Sequence, residues 1–454
     1  MSCAALGSTT MLSTLNSLKA ANAAAISNSM TYMGNDYKAL VCILLSGGND
    51  SYNMLVPRGN AEYAEYAAIR TNQALPQNEL LAINPTISDG KEYGLHPSMN
   101  NMQSMFESGS AAFLTNVGTL VEPITKQQYE QGTAPMPLGL YSHSDQQQQW
   151  QTAIPQDRSA IGWGGKIADL MNEANTNQSI SMNISLSGNN IFQIGNSITE
   201  YSIDAYEGST GMIGYEDTWQ GAQLRSQAID NMLDAHYEDI FKKAYIDVIK
   251  TSKDGHEQFS SALEQLTPFN TQFSNNDLSQ SFHMIAKAMA ARETLGMKRQ
   301  IFFIDYGGWD HHDEVLDAQN FMLGEVDSAL GEFKSALEEL ELFDCVTTFG
   351  ISEFGRTLTS NGNGTDHGWG GNTFVMGGSV NGKNIYGSFP SLVLNSELEV
   401  GGGVFIPTTS TDAYFAELAQ WYGVSASDLP IILPNVGNFY NPVGGNLPIG
   451  FMNI

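Results

Sequence analysis

Residues Ile301–Glu314 read IFFIDYGGWDHHDE. The first six are mostly apolar and β-favouring, which marks a buried strand. Two glycines and a tryptophan follow, then five consecutive side chains able to hold or neutralise a cation. Downstream, Val315–Leu342 carries Val326, Leu330, Phe333, Leu337 and Leu340 at alternating spacings of four and three, the stripe of an amphipathic helix. Cys345–Ile351 is again a short apolar run, closed by Ser352-Glu353-Phe354-Gly355-Arg356. Strand, long helix, strand implies a right-handed crossover and parallel strands. The fold class expected is therefore α/β, with a mostly parallel central sheet flanked by helices.

Open α/β sheets collect functional groups at the carboxyl ends of their strands. Working outward, the same arrangement recurs. Lys38–Leu45 is a continuous apolar run that ends in Ser46-Gly47-Gly48-Asn49-Asp50. Ala111–Val117 and Thr373–Met376 read as further strands, Met99–Phe106 and Tyr414–Tyr422 as helices. The latter strand follows a glycine-rich loop, Thr365-Asp366-His367-Gly368-Trp369-Gly370-Gly371. Residues from about 155 to 298 differ in character. They are expected to hold a strand pair around 180–194 and helices over Ala222–Leu266 and Ser279–Met297, as an insertion or cap on one domain spanning 38–454.

Composition narrows the function. Twenty basic against 48 acidic residues give a net charge of -28, which repels phosphate backbones and anionic surfaces and excludes nucleic acid as a partner. No apolar run reaches the roughly 18–20 residues of a membrane span. Cys42 and Cys345 lie in strand-like runs and read as buried thiols, with a disulfide between neighbouring strands left open; no metal-binding cysteine spacing occurs. The first 25 residues are small, weakly apolar and end near Ala21-Asn22-Ala23, the pattern of an export-signal cleavage site. The expected location is periplasmic or secreted, and oligomeric state is open.

Three strand ends and one loop thus carry Asp50, Asp310, Glu353 and Asp366, with His311, His312 and His367 beside them. Carboxylates and imidazoles converging from rigid elements suit one or two divalent ions, with zinc, magnesium and calcium all compatible. Alternate residues of an extended segment share a side, so Asp310 pairs with His312 and leaves His311 for substrate. Ser142 and Ser144 open a helix at SHSDQQQQW and are candidate nucleophiles, since a helix N-terminus favours an alkoxide. Arg356 is a candidate anion clamp.

The order of these motifs resembles the alkaline phosphatase superfamily of phosphatases and sulfatases. More closely, the stretches LSGGNDSYNMLVP, YGLHPSM, SHSDQQQQW, GGWDHHDE, SEFGRT, TDHGWGGNTFVMGG and YFAELAQWYGVSASDLPIILPNVGNF resemble the exported bacterial family named domain of unknown function 1501. The resemblance implies an alkaline-phosphatase-like core. It implies one metal on Asp50 and Glu353, a second on Asp310, His312 and His367, and a small-molecule or polysaccharide ester as substrate. Two departures stand out. Glu353-Phe354 replaces an Asp-His pair, so the Asp50 site lacks a ligand unless Asp366 or His143 supplies it, and Glu314 stands where the superfamily has a histidine. The alternative is a secreted binding or surface protein that keeps the fold and a structural metal without catalysis.

Overall fold

The computed structural model describes residues 36–212, 214–215 and 220–454. The export-signal segment lies outside the described residues. Among the described residues the central sheet has nine strands: β1 Lys38–Leu44, β2 Ala111–Gly118, β3 Asn183–Ser185, β4 Tyr201–Ser202, β5 Arg299–Asp305, β6 Val346–Ile351, β7 Gly371–Gly377, β8 Ile385–Tyr386 and β9 Thr409–Ser410. Their spatial order is β8-β2-β7-β6-β1-β5-β3-β4, with β9 also on β2. Every pairing is parallel except those of β7, which runs antiparallel to β2 and β6.

Strand β1 shows why the sheet forms here. Ala39, Val41 and Ile43 enter one core layer; Leu40, Cys42 and Leu44 enter the other. A strand covered on both faces needs apolar residues at every position, which is the unbroken run seen in the sequence. One face is covered by the helices Val315–Glu339 and Asp277–Ala290, the other by His143–Thr152, Trp163–Met171 and Thr411–Tyr422. Val326, Leu330, Phe333 and Leu337 are all buried, as their spacing requires.

The strands on either side of the long helix are parallel, as expected, but they are not neighbours. Both pair with β1, which lies between them. Leu44 is in register with Asp305 on one side and Ile351 on the other. Three loops therefore leave the sheet from one level edge.

Within the stretch from 155 to 298, several elements join the core directly. Helix Trp163–Met171 belongs to the core, and β3 and β4 extend the sheet. Asp277–Ala290 packs on Val315–Glu339. The expected helix over Ala222–Leu266 is two, Gln220–Asp234 and Ile240–Glu264. Asp239 starts the second by accepting the backbone N–H groups of Phe241 and Lys242. Cys42 and Cys345 are free thiols. Among the described residues, no helix is long and apolar enough to cross a membrane.

Candidate metal centre

The loops after β1, β5 and β6 pack backbone against backbone at the level edge. Gly47 has φ +121°, and a Cβ there would lie 2.4 Å from the Asp310 nitrogen. Only glycine lets the first loop approach the second this closely. After β6 the chain forms a hairpin, Arg356–Ser360 paired antiparallel with Thr365–His367, that sets Arg356 opposite His367. The fourth contributor is the helix His143–Thr152, whose first residue points into the same place.

Four side chains meet there. Asp310 lies 3.4 Å from His143 Nε2, 3.1 Å from His312 Nε2 and 3.4 Å from His367 Nε2. His367 Nε2 is 3.1 Å from His143 Nε2 and 3.0 Å from His312 Nε2. The other nitrogen of each ring faces an oxygen that can only accept. His143 Nδ1 donates to Glu353 Oε1 at 2.8 Å, His312 Nδ1 to Asp366 Oδ1 at 3.2 Å, and His367 Nδ1 to the Tyr141 carbonyl at 2.8 Å. With the proton fixed on Nδ1, each neutral ring presents its Nε2 lone pair to the centre. Oxygen partners behind ligating imidazoles are the usual support of a metal site.

Five of the six ligand-atom separations suit one ion, and the group that lies wholly within 4.8 Å is His143, Asp310 and His367, with His312 beside it. Four ligands at zinc–nitrogen and zinc–oxygen distances of about 2.0–2.1 Å in a tetrahedron stand about 3.3 Å apart. Three nitrogens and a carboxylate are a donor set for zinc rather than for calcium or magnesium, which take oxygen. Electrostatics favour ligation at Asp310 and His367, whereas His143 is shifted toward its protonated form. Burial works to raise the Asp310 carboxyl, but the Arg356 guanidinium outweighs it and holds the group below the usual carboxylate range. The hydrogen bond to Glu353 raises His143, and burial lowers His367.

Of the six expected ligands, Asp310, His312 and His367 converge. The other three do not join them. Asp50 is fully buried in an ion pair with Arg70. Glu353 is also buried and stands behind His143; its Oε1 further accepts from the Gly47 amide at 2.8 Å and Gln147 at 2.9 Å. Asp366 stands behind His312. His143, which the sequence offered only as a substitute near Asp50, takes a ligand position beside Asp310. The one signal for it was an imidazole at a helix start, and nothing marked the Tyr141 carbonyl.

The substrate-facing candidates also fall differently. His311 is buried, not turned outward, and burial lowers its pKa. Arg356 is buried beneath the site. It donates to the carbonyls of Gly48 and Gly47 at 2.9 Å, to that of Thr365 at 3.2 Å, and to Asp310, so it fastens the loops rather than facing an anion. The Ser142 hydroxyl caps its helix, accepting from the Asp145 amide at 3.5 Å, and lies 3.3 Å from that of Ser144, which is exposed. Phe354 lies against the centre. Its ring stacks on His367 at 4.7 Å and leans on His143 at 4.9 Å, walling the centre with hydrocarbon.

Solved structures with similar overall arrangement include Ps i-CgsB in complex with k-i-k-neocarrahexaose, at 13% identity and a TM-score of 0.33 over 89% of this chain and 77% of that one. They also include the PsFucS1 sulfatase from Pseudoalteromonas sp., at 8% identity and a TM-score of 0.31 over 90% and 71%. No curated protein matches the sequence. The profile of one family matches residues 37–400, and with four-fifths of its length inside that match the chain belongs to the family described as Protein of unknown function (DUF1501).

Proposed function

We propose that this chain is an exported, metal-dependent hydrolase of sulfate or phosphate esters, with zinc held by His143, Asp310, His312 and His367. The observation that supports this reading is the convergence of His143, Asp310 and His367 at the carboxyl edge of a mostly parallel sheet, with His312 Nε2 3.1 Å from Asp310 and 3.0 Å from His367. When bound, such an ion supplies Lewis acidity toward an ester oxygen and acidifies a water. The chain's own residues do the rest. Glu353, Asp366 and the Tyr141 carbonyl fix the imidazoles, Arg356 keeps Asp310 ionised, and Phe354 excludes water from one side. Ser142 is bound up in its helix cap, so water is the nucleophile in this mechanism. Ala21-Asn22-Ala23 supports export to the periplasm or beyond, where small-molecule and polysaccharide esters are both accessible.

The second reading is a secreted binding protein with a structural metal. Arg356 favours it, because that guanidinium is committed to loop carbonyls and Asp310 and leaves no anion clamp beneath the site. A panel of aryl sulfates and aryl phosphates, assayed with the zinc-loaded protein and with His367→Ala, separates the two. Turnover lost in the variant supports the hydrolase. Zinc bound at one equivalent with no turnover of any ester supports the binding protein.

A further inference from the structure

A cleft of about 410 Å³ lies far along the chain from the metal-centre residues, between the loop 267–274 and the helix Asp277–Ala290. Its walls include Leu266, Phe269, Phe273, Gln280, His283 and Lys287. We propose that this cleft binds a small organic monoanion with a flat apolar body, the anionic group on Lys287 and the body among Phe269, Phe273 and His283.

Three observations carry the assignment. First, the loop is fastened in place. Glu339 accepts the backbone and side-chain N–H groups of Asn270 at 2.8 and 2.9 Å, and the amide and hydroxyl of Thr271 at 2.9 and 2.7 Å. Glu332 accepts the Ser274 amide at 3.1 Å, and Gln280 donates to the Ser274 carbonyl at 2.9 Å. Two carboxylates of the long helix thus hold in place the segment that carries Phe269 and Phe273.

Second, the aromatic walls are flat and uncharged. His283 stacks on Phe273 with centroids 4.6 Å apart and planes at 15°, and meets Phe269 at 5.8 Å. Burial, with Lys287 adding to it, takes the imidazole down to about 4, so it is neutral at physiological pH. Such a surface favours a planar ligand.

Third, Lys287 is a half-buried ammonium that pairs with no carboxylate among the described residues, in a chain of net charge -28. Burial alone depresses it. A cation desolvated without a counter-ion is unfavourable, and an anion entering the cleft removes that penalty. The volume matches a ligand of one or two rings.

The test is calorimetric titration of the full chain with 2-naphthoate, beside its neutral isostere 2-naphthylmethanol. Saturable one-to-one binding of the carboxylate is expected, at least tenfold weaker for the alcohol. Lys287→Met should weaken 2-naphthoate at least tenfold, and Lys287→Arg should hold it within about threefold. No saturable binding, equal affinity for both ligands, or unchanged affinity in Lys287→Met would each overturn the proposal. The alcohol comparison uses the unaltered protein, so it stands even where a variant misfolds.

Discussion

Each imidazole of the candidate metal centre has one nitrogen committed to an oxygen behind it, and that commitment can be removed without touching the imidazole. Asp366 is the cleanest case, because it is exposed and, among the described residues, its carboxylate hydrogen-bonds only with His312 and Asn361. Asp366→Ala should lower zinc affinity about tenfold, read by competition with a chromophoric chelator, while the metal-free protein melts at the same temperature. Unchanged affinity would mean His312 is not a ligand. At this scale the sequence was legible where chemistry and spacing agreed: Asp310 and His312 lie two apart on one extended loop, and His367 follows an acid between glycines. It was misleading where a carboxylate has ligand chemistry but sits one atom shell back. Glu353 and Asp366 offer the right oxygens, and only the fold shows an imidazole standing in front of each. Asp50 was opaque for another reason, since its partner Arg70 arrives from the end of a different helix. Both side chains are fully buried, so removing one leaves the other uncompensated. Arg70→Met should cost about 3–5 kcal/mol in urea unfolding yet leave zinc stoichiometry at one.

Elements were legible in proportion to how much of their surface the core claims. Strand β1 and the helix Val315–Glu339 declare themselves, because a two-sided strand and a one-sided helix impose opposite periodicities on apolar residues. The antiparallel direction of β7 was hidden, as a glycine-rich loop does not say whether the chain turns back or crosses over. The break inside 222–266 rested on a single capping aspartate. The helix His143–Thr152 shows how the two scales interact. Ser142 caps it, His143 enters the centre, and Trp150 donates to the Glu353 carbonyl at 2.9 Å, tying the far end of the helix to the same loop. Ser142→Ala should therefore cost about 1 kcal/mol, seen as a small fall in melting temperature, with zinc affinity and any ester turnover kept within about twofold. Collapse of turnover with zinc still bound would assign the serine as nucleophile after all.

At the scale of the molecule, charge decides how stability follows pH. A chain of -28 at pH 7 with an isoelectric point near 4.4 repels itself at neutral pH, and the repulsion fades on acidification. One buried group adds to that trend. Asp412 opens the helix Thr411–Tyr422 inside the core, and burial pushes its carboxyl up to about 8. In the unfolded chain an aspartate titrates near about 3.9. Between these values the folded state binds a proton that the unfolded state has lost. The contribution is therefore complete below about pH 4 and disappears as pH rises to about 8. Lys166, lowered to about 8 by burial, acts the other way, but only above that pH. Melting temperatures at fixed ionic strength should thus fall from pH 5 to pH 8 in the wild type and fall less steeply in Asp412→Asn, which carries the same -28 background less one ionisable group. Fixed ionic strength matters because screening would otherwise change the general repulsion along with pH. Parallel curves for the two proteins would show that Asp412 is ionised in the folded state, and that the surface charge alone sets the pH dependence.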